Sequence, residues 1–590
     1  MGELTKQTFH ILRDQNRQTM PNKNRLENLE MLRVFSREIC DSLKKYFINR
    51  TLPLPEKSKK IVNLNQSILQ ELIYGYEIIA FEAANNIDTT IDDKTLGTSI
   101  CRALNYLAEM LLRASEVYQP YPEKLWQDAH QLYLFAENRN LLDNNIFDSE
   151  TETKTTIANS YKRILLFALS RPIALRQSDC DRVFKELFEW SKYADIHQET
   201  SEDLINRVFS MRVFENKAPD YLDRSDLADD VIIRTLDASK LVSHVENLIA
   251  EKNKQKQKLA IGDEMPLETL MTLVSSWGEN AERRFSRAER HGHINVAIGL
   301  SKACKAINES KKIQNAPLEP GDGFFQTSTK LKDILIDSNH DFFKTSTASK
   351  SEHNLTLESI ADDEHQLKQT PAGNSEDNRW DMVAKGRVLT DAYERENNLV
   401  EEDRPDLQKH NSDSHWEIVN ISAGGYCLRW NSDATSRAQI GELIALQEFD
   451  LKSNFTWRVG VIRWMQFTPE NGLEIGVQIL SPKIEAATAQ RANRLDESPF
   501  DCIMLPAIET LNQSSSTLLP AHAFATDNKL VVKILDNIIS ITLGETKEHT
   551  GSFTQFTYNS SELDQHLKKQ IKKEEAVKNK DDFDELWLSL

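Results

Sequence analysis

Asn420-Ile421-Ser422-Ala423-Gly424-Gly425 is a short polar run followed by three apolar-rich segments: Gly441-Glu442-Leu443-Ile444-Ala445-Leu446, Trp457-Arg458-Val459-Gly460-Val461-Ile462-Arg463-Trp464, and Leu473-Glu474-Ile475-Gly476-Val477-Gln478-Ile479. The three segments are rich in Val, Ile, Leu and Trp at strand length, so residues from about 415 to 485 read as an antiparallel, strand-rich region. If Glu417 to Ser422 is the strand that opens it, Asn420 and Ser422 point to the same side, because side chains alternate. That side presents an amide and a hydroxyl. Gly424 and Gly425 allow a positive φ and let the backbone approach a ligand where a Cβ would obstruct it.

A second polar cluster, Arg283-Arg284-Phe285-Ser286-Arg287, lies upstream and contains RxxxR. The planar guanidinium bonds bidentately to phosphate or to guanine O6 and N7, and its face stacks on a purine; lysine supplies charge without the fork. Taken alone, Arg283 to Arg290 also reads as a solvated helix end, and Asn420 to Gly425 as an ordinary strand-to-turn segment.

Together, RxxxR, NxSxxG and the order of the strands after Gly425 resemble the two halves of the cyclic di-GMP site in PilZ domains. The resemblance covers about 283–300 and 415–485. It implies a PilZ-like antiparallel β-barrel that binds cyclic di-GMP non-covalently, with no catalytic residue, metal or cofactor. Arg283 and Arg287 would wrap a self-stacked dinucleotide dimer, supported by Arg284, while Asn420, Ser422 and Gly425 complete the site and Gly424 eases the turn. Asn at position 420 is within the family's tolerance. His291-Gly292-His293-Ile294-Asn295-Val296-Ala297-Ile298 would be the first barrel strand. Arg287 and Asn420 stand 133 positions apart, much further than in other family members, so the intervening polar stretch reads as an insertion. Long surface insertions cost little stability, since closure entropy grows only logarithmically with length. In bacteria the resemblance implies control of motility, pili, biofilm or exopolysaccharide through an unidentified protein partner of the pilus, flagellar or exopolysaccharide machinery. The alternative is a ligand-independent adaptor whose barrel is a protein-docking surface.

The 590 residues carry a formal charge of −19, with 91 acidic against 72 basic side chains. That balance disfavours extended binding to nucleic acid, which needs a basic face, but leaves room for a small anion held by a local arginine cluster. The six cysteines are scattered without CxxC spacing, the pattern of reduced thiols rather than a disulfide framework or zinc site. No apolar run approaches membrane-spanning length, and the first residues lack a signal core and a myristoylation pattern, so the expected location is cytoplasmic.

The expected fold class is an α+β multidomain chain with a helical N-terminal region, the PilZ-like barrel and a small C-terminal β-rich module. Residues 1–200 read as helical. Ile68, Leu72, Tyr76 and Ile79 share one helix face, as do Ile100, Leu104, Leu107, Leu111 and Ala114, and a further helix starts at a Ser178-Asp179 N-cap with Val183, Leu187 and Trp190 on one side. Pro172 separates two helices. Residues 201–275 form a mixed α/β connection, with strands near 207–214 and 230–236 and a helix from Ala238 to about Lys256. The PilZ-like domain starts at 276–304 and resumes at 413–490. Between them, 305–412 is too polar to offset its ordering entropy and is expected to be disordered, apart from a short piece around Trp380 to Leu389. A C-terminal β-rich module occupies 498–560, with a hairpin at Asp536-Asn537. A charged helical tail, 561–590, ends in Trp587-Leu588-Ser589-Leu590; it is a partner-docking motif or a helix packed on the body.

Other chemistries lack their residues. His291 and His293 could share a strand face like a metal pair, but no third ligand is evident. Walker A, HExxH and GxSxG patterns are absent from the sequence, as are diguanylate cyclase and phosphodiesterase signatures. Trp430 and Trp464 could stack on guanine, although barrel tryptophans more often fill a core.

Overall fold

The computed structural model describes residues 2–85, 87–88, 90–149, 152–228, 231–254, 265–280, 287–290, 292–315, 415–432, 434–449, 455–495, 497–507, 514–535 and 537–561. Of these, the residues up to Ser310 and from 415 onward pack as one unit.

Among the described residues up to 190 the α-helices are α1 (Gly2–Asn16), α2 (Asn22–Lys44), α3 (Glu56–Ala84), α4 (Asp93–Glu116), α5 (Leu125–Asn138), α6 (Ile157–Leu169) and α7 (Gln177–Trp190). Helices α2 to α7 each bury several apolar side chains, whereas α1 buries Leu12 alone beside Thr5, Thr8 and Gln15. Helix α3 packs on α4, and Ile68, Leu72, Tyr76 and Ile79 on the first and Ile100, Leu104, Leu107 and Leu111 on the second are all buried. Asp92 caps α4 by accepting from the Thr95 N–H at 2.7 Å. Pro172 opens a 3₁₀ turn between α6 and α7. The start of α7 differs from the expected Ser178-Asp179 cap: Arg176 is the N-cap residue, and no side chain caps it. Asp179 is committed elsewhere, accepting from the Thr269 hydroxyl at 3.0 Å and pairing with Arg182 at 3.1 Å. A small hairpin, β1 (Ile146–Asp148) with β2 (Thr153–Thr155), delivers Asp148 to Arg33 and Arg102 at 2.6 and 2.8 Å.

The mixed region is a four-stranded antiparallel sheet in the order β3 (Asp195–His197), β6 (Ile233–Asp237), β4 (Phe209–Arg212), β5 (Asp220–Tyr221). Strand β4 has no fully solvated face. Ser210 is as buried as Met211, because Asp226 accepts from its hydroxyl at 2.6 Å and from Arg212 Nε at 2.7 Å. Two helices follow, α8 (Ser239–Lys254) and α9 (Leu267–Trp277).

The third region is the expected barrel. Its strands are β7 (Arg287–Glu289), β8 (His293–Ile298), β9 (His415–Ser422), β10 (Gly425–Trp430), β11 (Leu443–Phe449), β12 (Phe455–Thr468) and β13 (Gly472–Ser481), with α10 (Leu300–Asn315) following β8. The sheet order is β10-β13-β12-β11-β8-β9-β7, and the pairing of β9 with β10 closes it on itself. Trp416, Ile418, Leu428, Trp430, Leu473 and Ile475 are among the side chains buried with it. Helix α10 runs into the stretch expected to be disordered. Leu300, Ala303, Cys304 and Ile307 supply an apolar stripe whose period is hidden among Ser, Lys and Asn. The rest of that stretch, including Trp380 to Leu389, and the tail beyond 561 lie outside the described residues.

The C-terminal module is itself a closed barrel, in the order β14 (Glu485–Arg491), β15 (Phe500–Leu505), β16 (Ser516–Pro520), β19 (Phe553–Ser561), β18 (Asn537–His549), β17 (Lys529–Ile534). It begins at Glu485, inside the 413–490 stretch that the sequence reading assigned to the preceding barrel. Strands β17 and β18 form a hairpin, but Asn537 is not part of its turn: it pairs with Ile534 as the first residue of β18, and Asp536 lies outside the described residues. The two barrels and α10 share one apolar cluster. Ala303 and Ile307 come from the helix, Leu443, Val459 and Val461 from the first barrel, and Ile503, Leu518 and Phe553 from the second. Trp457 Nε1 also donates to Ser310 Oγ on α10 at 2.9 Å.

Candidate functional site

The NxSxxG motif is a two-residue β-hairpin. Ser422 pairs with Gly425 across Ala423-Gly424, and the Ser422 hydroxyl donates to the Gly425 carbonyl at 3.4 Å. Glycine is required at 425 for closeness rather than for a positive φ: a Cβ there would overlap the Val477 carbonyl, and the residue's φ is not left-handed. The Gly424 carbonyl accepts from the Ile479 N–H at 2.9 Å, which ties the turn to β13.

Two bulges decide which way the site residues point. Along β9, Ile418 pairs with Leu428 and Asn420 with Cys427, so Val419 is an extra residue. Directly paired residues share a face. Ile418 and Leu428 are inside the barrel. Past the bulge, Asn420 and Ser422 join Cys427 and Gly425 on the outer wall, where strict alternation would have left Asn420 beside Ile418 in the core. The second bulge is in β12: Ile462 pairs with Val477 and Trp464 with Gly476, leaving Arg463 as the extra residue. Trp464 is thereby turned outward and lies against Gly476, where any Cβ would run into the indole.

Strand β7 brings the arginine motif to this wall. Arg287 pairs with Ser422, Ala288 with Ile421 and Glu289 with Asn420. Arg287, Asn420, Ser422, Gly424 and Gly425 consequently line one hollow of about 170 Å³. Arg283 and Arg284 lie outside the described residues. The same hollow is lined by residues that the motif reading did not include, among them Cys427, Arg463, Trp464, Gly476 and Gln478. Of the two tryptophans considered for stacking, Trp430 is buried, with Nε1 bonded to the Ala434 carbonyl at 2.8 Å, whereas Trp464 is half-buried at the hollow. Arg463 could not have been singled out by any spacing rule, because its role depends on the bulge and on a carboxylate 85 residues later.

The lining can bind but is poorly equipped for chemistry. Burial, helped by Glu474, pushes the Cys427 thiol up to about 12 despite Arg287 and Arg429 nearby, so it stays a neutral thiol. What remains is guanidinium, amide, hydroxyl and an indole face, a set suited to an anion with planar, acceptor-rich edges. A larger hollow of about 630 Å³ lies on the C-terminal barrel beside Arg491 and Arg494. Glu497 pairs with both of those arginines, at 2.7 and 3.0 Å, so the two share one carboxylate. His293 is exposed on β8, its would-be partner His291 is outside the described residues, and no group of three metal-ligating side chains occurs among the described residues. No helix among the described residues is long and apolar enough to cross a membrane.

Comparison with known proteins finds the same three-part order. Residues 1–201 match the family model of the N-terminal domain of the cyclic-di-GMP receptor FimW, residues 208–485 its middle PilZ domain, and residues 485–561 the FimW C-terminal beta-barrel domain. A curated relative, the cyclic-di-GMP receptor FimW of Pseudomonas aeruginosa, is 26% identical over 611 residues, spanning 100% of this chain and 93% of that protein. No solved structure matches the chain.

Proposed function

The chain carries, in order, the N-terminal, middle PilZ and C-terminal β-barrel domains of the FimW family, and on that footing we propose that it is a cytoplasmic cyclic di-GMP receptor that binds the dinucleotide on the outer wall of its middle barrel and relays the signal to a protein partner. The observation that carries this reading is the meeting of the two motifs. Arg287 and the Asn420-to-Gly425 hairpin, 133 positions apart, line one hollow. Arg283 precedes Arg287 by four residues, a reach of at most about 14 Å along the chain. It therefore falls within range of a ligand seated on Asn420 and Ser422.

In this reading Arg287 and Arg283 clamp phosphate or guanine edges, Arg284 adds charge, and Asn420 and Ser422 bond a base or phosphate from the hairpin side. The ligand is bound without turnover. Occupancy closes the arginine segment over the hollow and changes how the barrel packs on the helical domain, which it meets where Tyr118 O accepts from the Phe467 N–H at 2.7 Å. Six buried, unpaired cysteines fit a reducing compartment. Titration calorimetry with cyclic di-GMP tests the reading, with GTP as control and an Arg283→Ala/Arg287→Ala variant beside the wild type. Micromolar or tighter binding that the variant loses and GTP does not reproduce supports a receptor. Absence of binding by folded wild type would leave a ligand-independent adaptor.

A further inference from the structure

We propose that Arg463 is a further dinucleotide-binding residue of the hollow, and that the ligand takes it from Glu548 and so loosens the C-terminal barrel's hold on the site. The inference rests on the cyclic dinucleotide reading above and adds a residue and a regulatory contact to it.

Arg463 is the bulged residue of β12 and lines the hollow beside Gln478 and Trp464. Its guanidinium is held from two sides. Nη1 and Nη2 meet the Glu548 oxygens at 2.7 and 3.1 Å, and Nε donates to Gln478 Oε1 at 2.6 Å. Glu548 belongs to β18 of the second barrel, so this pair spans the two barrels at the edge of the site. The arginine is 40% exposed and therefore within reach of an arriving ligand. A phosphate or guanine edge makes its strongest contact with a guanidinium through a two-point fork, and the end-on fork of Arg463 is occupied by a carboxylate. Two anions cannot both sit on that fork without repulsion. Ligand and Glu548 are therefore alternatives.

The place of Glu548 gives the exchange a consequence. It stands at an irregular stretch of β18 just before the 550–552 turn. There Ser552 Oγ donates to Glu442 Oε2 of the first barrel at 2.8 Å. Gly551 abuts the guanidinium of Arg176, which donates to the Ile440 carbonyl at 3.2 Å and pairs with Glu268 of α9 at 3.1 Å. Burial pushes the Glu268 carboxyl up; Arg176 and Arg463 draw it back down, while Glu548 adds to the rise, so these four charges feel one another. The turn after Glu548 is thus a point where helical domain, middle barrel and C-terminal barrel all touch. Releasing Glu548 from Arg463 frees one edge of that junction.

Calorimetry with cyclic di-GMP on the full chain separates the possibilities, using wild type, Glu548→Gln, Arg463→Ala, Arg463→Lys and Arg287→Ala, each checked for its thermal transition. The expected result is tighter binding by Glu548→Gln, by about threefold to tenfold, because the internal competitor is weakened. Arg463→Ala and Arg463→Lys should both bind less tightly than wild type, the lysine variant because it lacks the fork. Hydrogen exchange across 545–553 should rise on adding ligand to the wild type and be already raised in Glu548→Gln. Wild-type binding that Arg287→Ala loses, together with unchanged affinity in Glu548→Gln, would overturn this inference and leave the receptor reading standing. Unchanged affinity in Arg463→Ala would do the same. If Arg463→Ala fails to fold, Glu548→Gln decides alone. No binding by wild type would overturn both.

Discussion

Arg287 and Ser422 stand directly opposite each other in the short antiparallel pairing of β7 with β9. Because opposed residues share a face, the guanidinium and the hydroxyl project from the same side of the barrel wall, with Asn420 two positions along. Each motif alone is a common sequence pattern. Their juxtaposition is a property of sheet register, and register is tightly specified where the other face of the strand is buried. Trp416 and Ile418 supply that buried face on β9, so the core holds the site in alignment.

Arg287→Ala should therefore weaken cyclic di-GMP binding by about tenfold to a hundredfold, the range expected when one charge-assisted contact is lost. Its side chain is exposed, so the thermal transition should not move. Calorimetry and a melting curve on the same preparation check both halves. A variant that binds normally would remove Arg287 from the site.

Gly476→Ala addresses the indole. The new methyl would occupy space now filled by the Trp464 ring, and the tryptophan must swing away from β13. The expected outcome is a red-shifted tryptophan emission and weaker ligand binding, with a stability cost of about 1–3 kcal/mol for the overpacked contact. Unaltered affinity with a displaced indole would show that Trp464 does not touch the ligand.

Acid should destabilise the helical domain through His130. Burial lowers its imidazole to about 4, with the Lys217 carbonyl acting weakly in the other direction. The ring sits between the Tyr161 hydroxyl at 2.6 Å and that carbonyl at 3.0 Å, an arrangement suited to a neutral imidazole. An unfolded histidine titrates near 6.5, so between about pH 6.5 and 4 the unfolded chain binds the extra proton. This stabilisation is complete above that window and is lost as the pH falls through it, on the order of 2–4 kcal/mol in all. Denaturant midpoints measured at pH 7.5 and 4.5 should fall less in His130→Phe than in wild type. Equal falls would exclude His130 as a source.

Much of this architecture is readable in the residues, and the exceptions have physical causes. The stripes of α3 and α4 and the strands after Gly425 announce themselves because long runs of Leu, Ile and Val keep one period. Helix α10 is hidden because only Leu300, Ala303, Cys304 and Ile307 carry its stripe, and two of them are small or weakly apolar. Strand β14 reads Glu-Ala-Ala-Thr-Ala-Gln-Arg, in which only Thr488 favours a strand; barrel closure, not local preference, makes it one. Asn420 and Ser422 were legible as same-side partners, yet which side they face depends on the Val419 bulge, and a bulge leaves no mark on a period-two pattern. Arg463 belongs to the same class of hidden information, set by a bulge and a distant glutamate.

Phe553 offers the sharpest test of how the two barrels depend on each other. It is fully buried in the cluster that joins β19 to α10 and to Val459 and Val461 of the middle barrel. Phe553→Ala should cost about 3–5 kcal/mol, because the cavity is walled by three elements that cannot all close on it. The loss should not stay within the C-terminal barrel. Ala303 and Ile307 lose a neighbour in the same cluster, so hydrogen exchange should quicken in α10 and in 457–461 as well as in β19. If exchange quickens in β19 alone, the shared cluster does not couple the barrels, and a signal arriving at Arg287 and Ser422 must reach the C-terminal barrel through the polar edge at Arg463 instead.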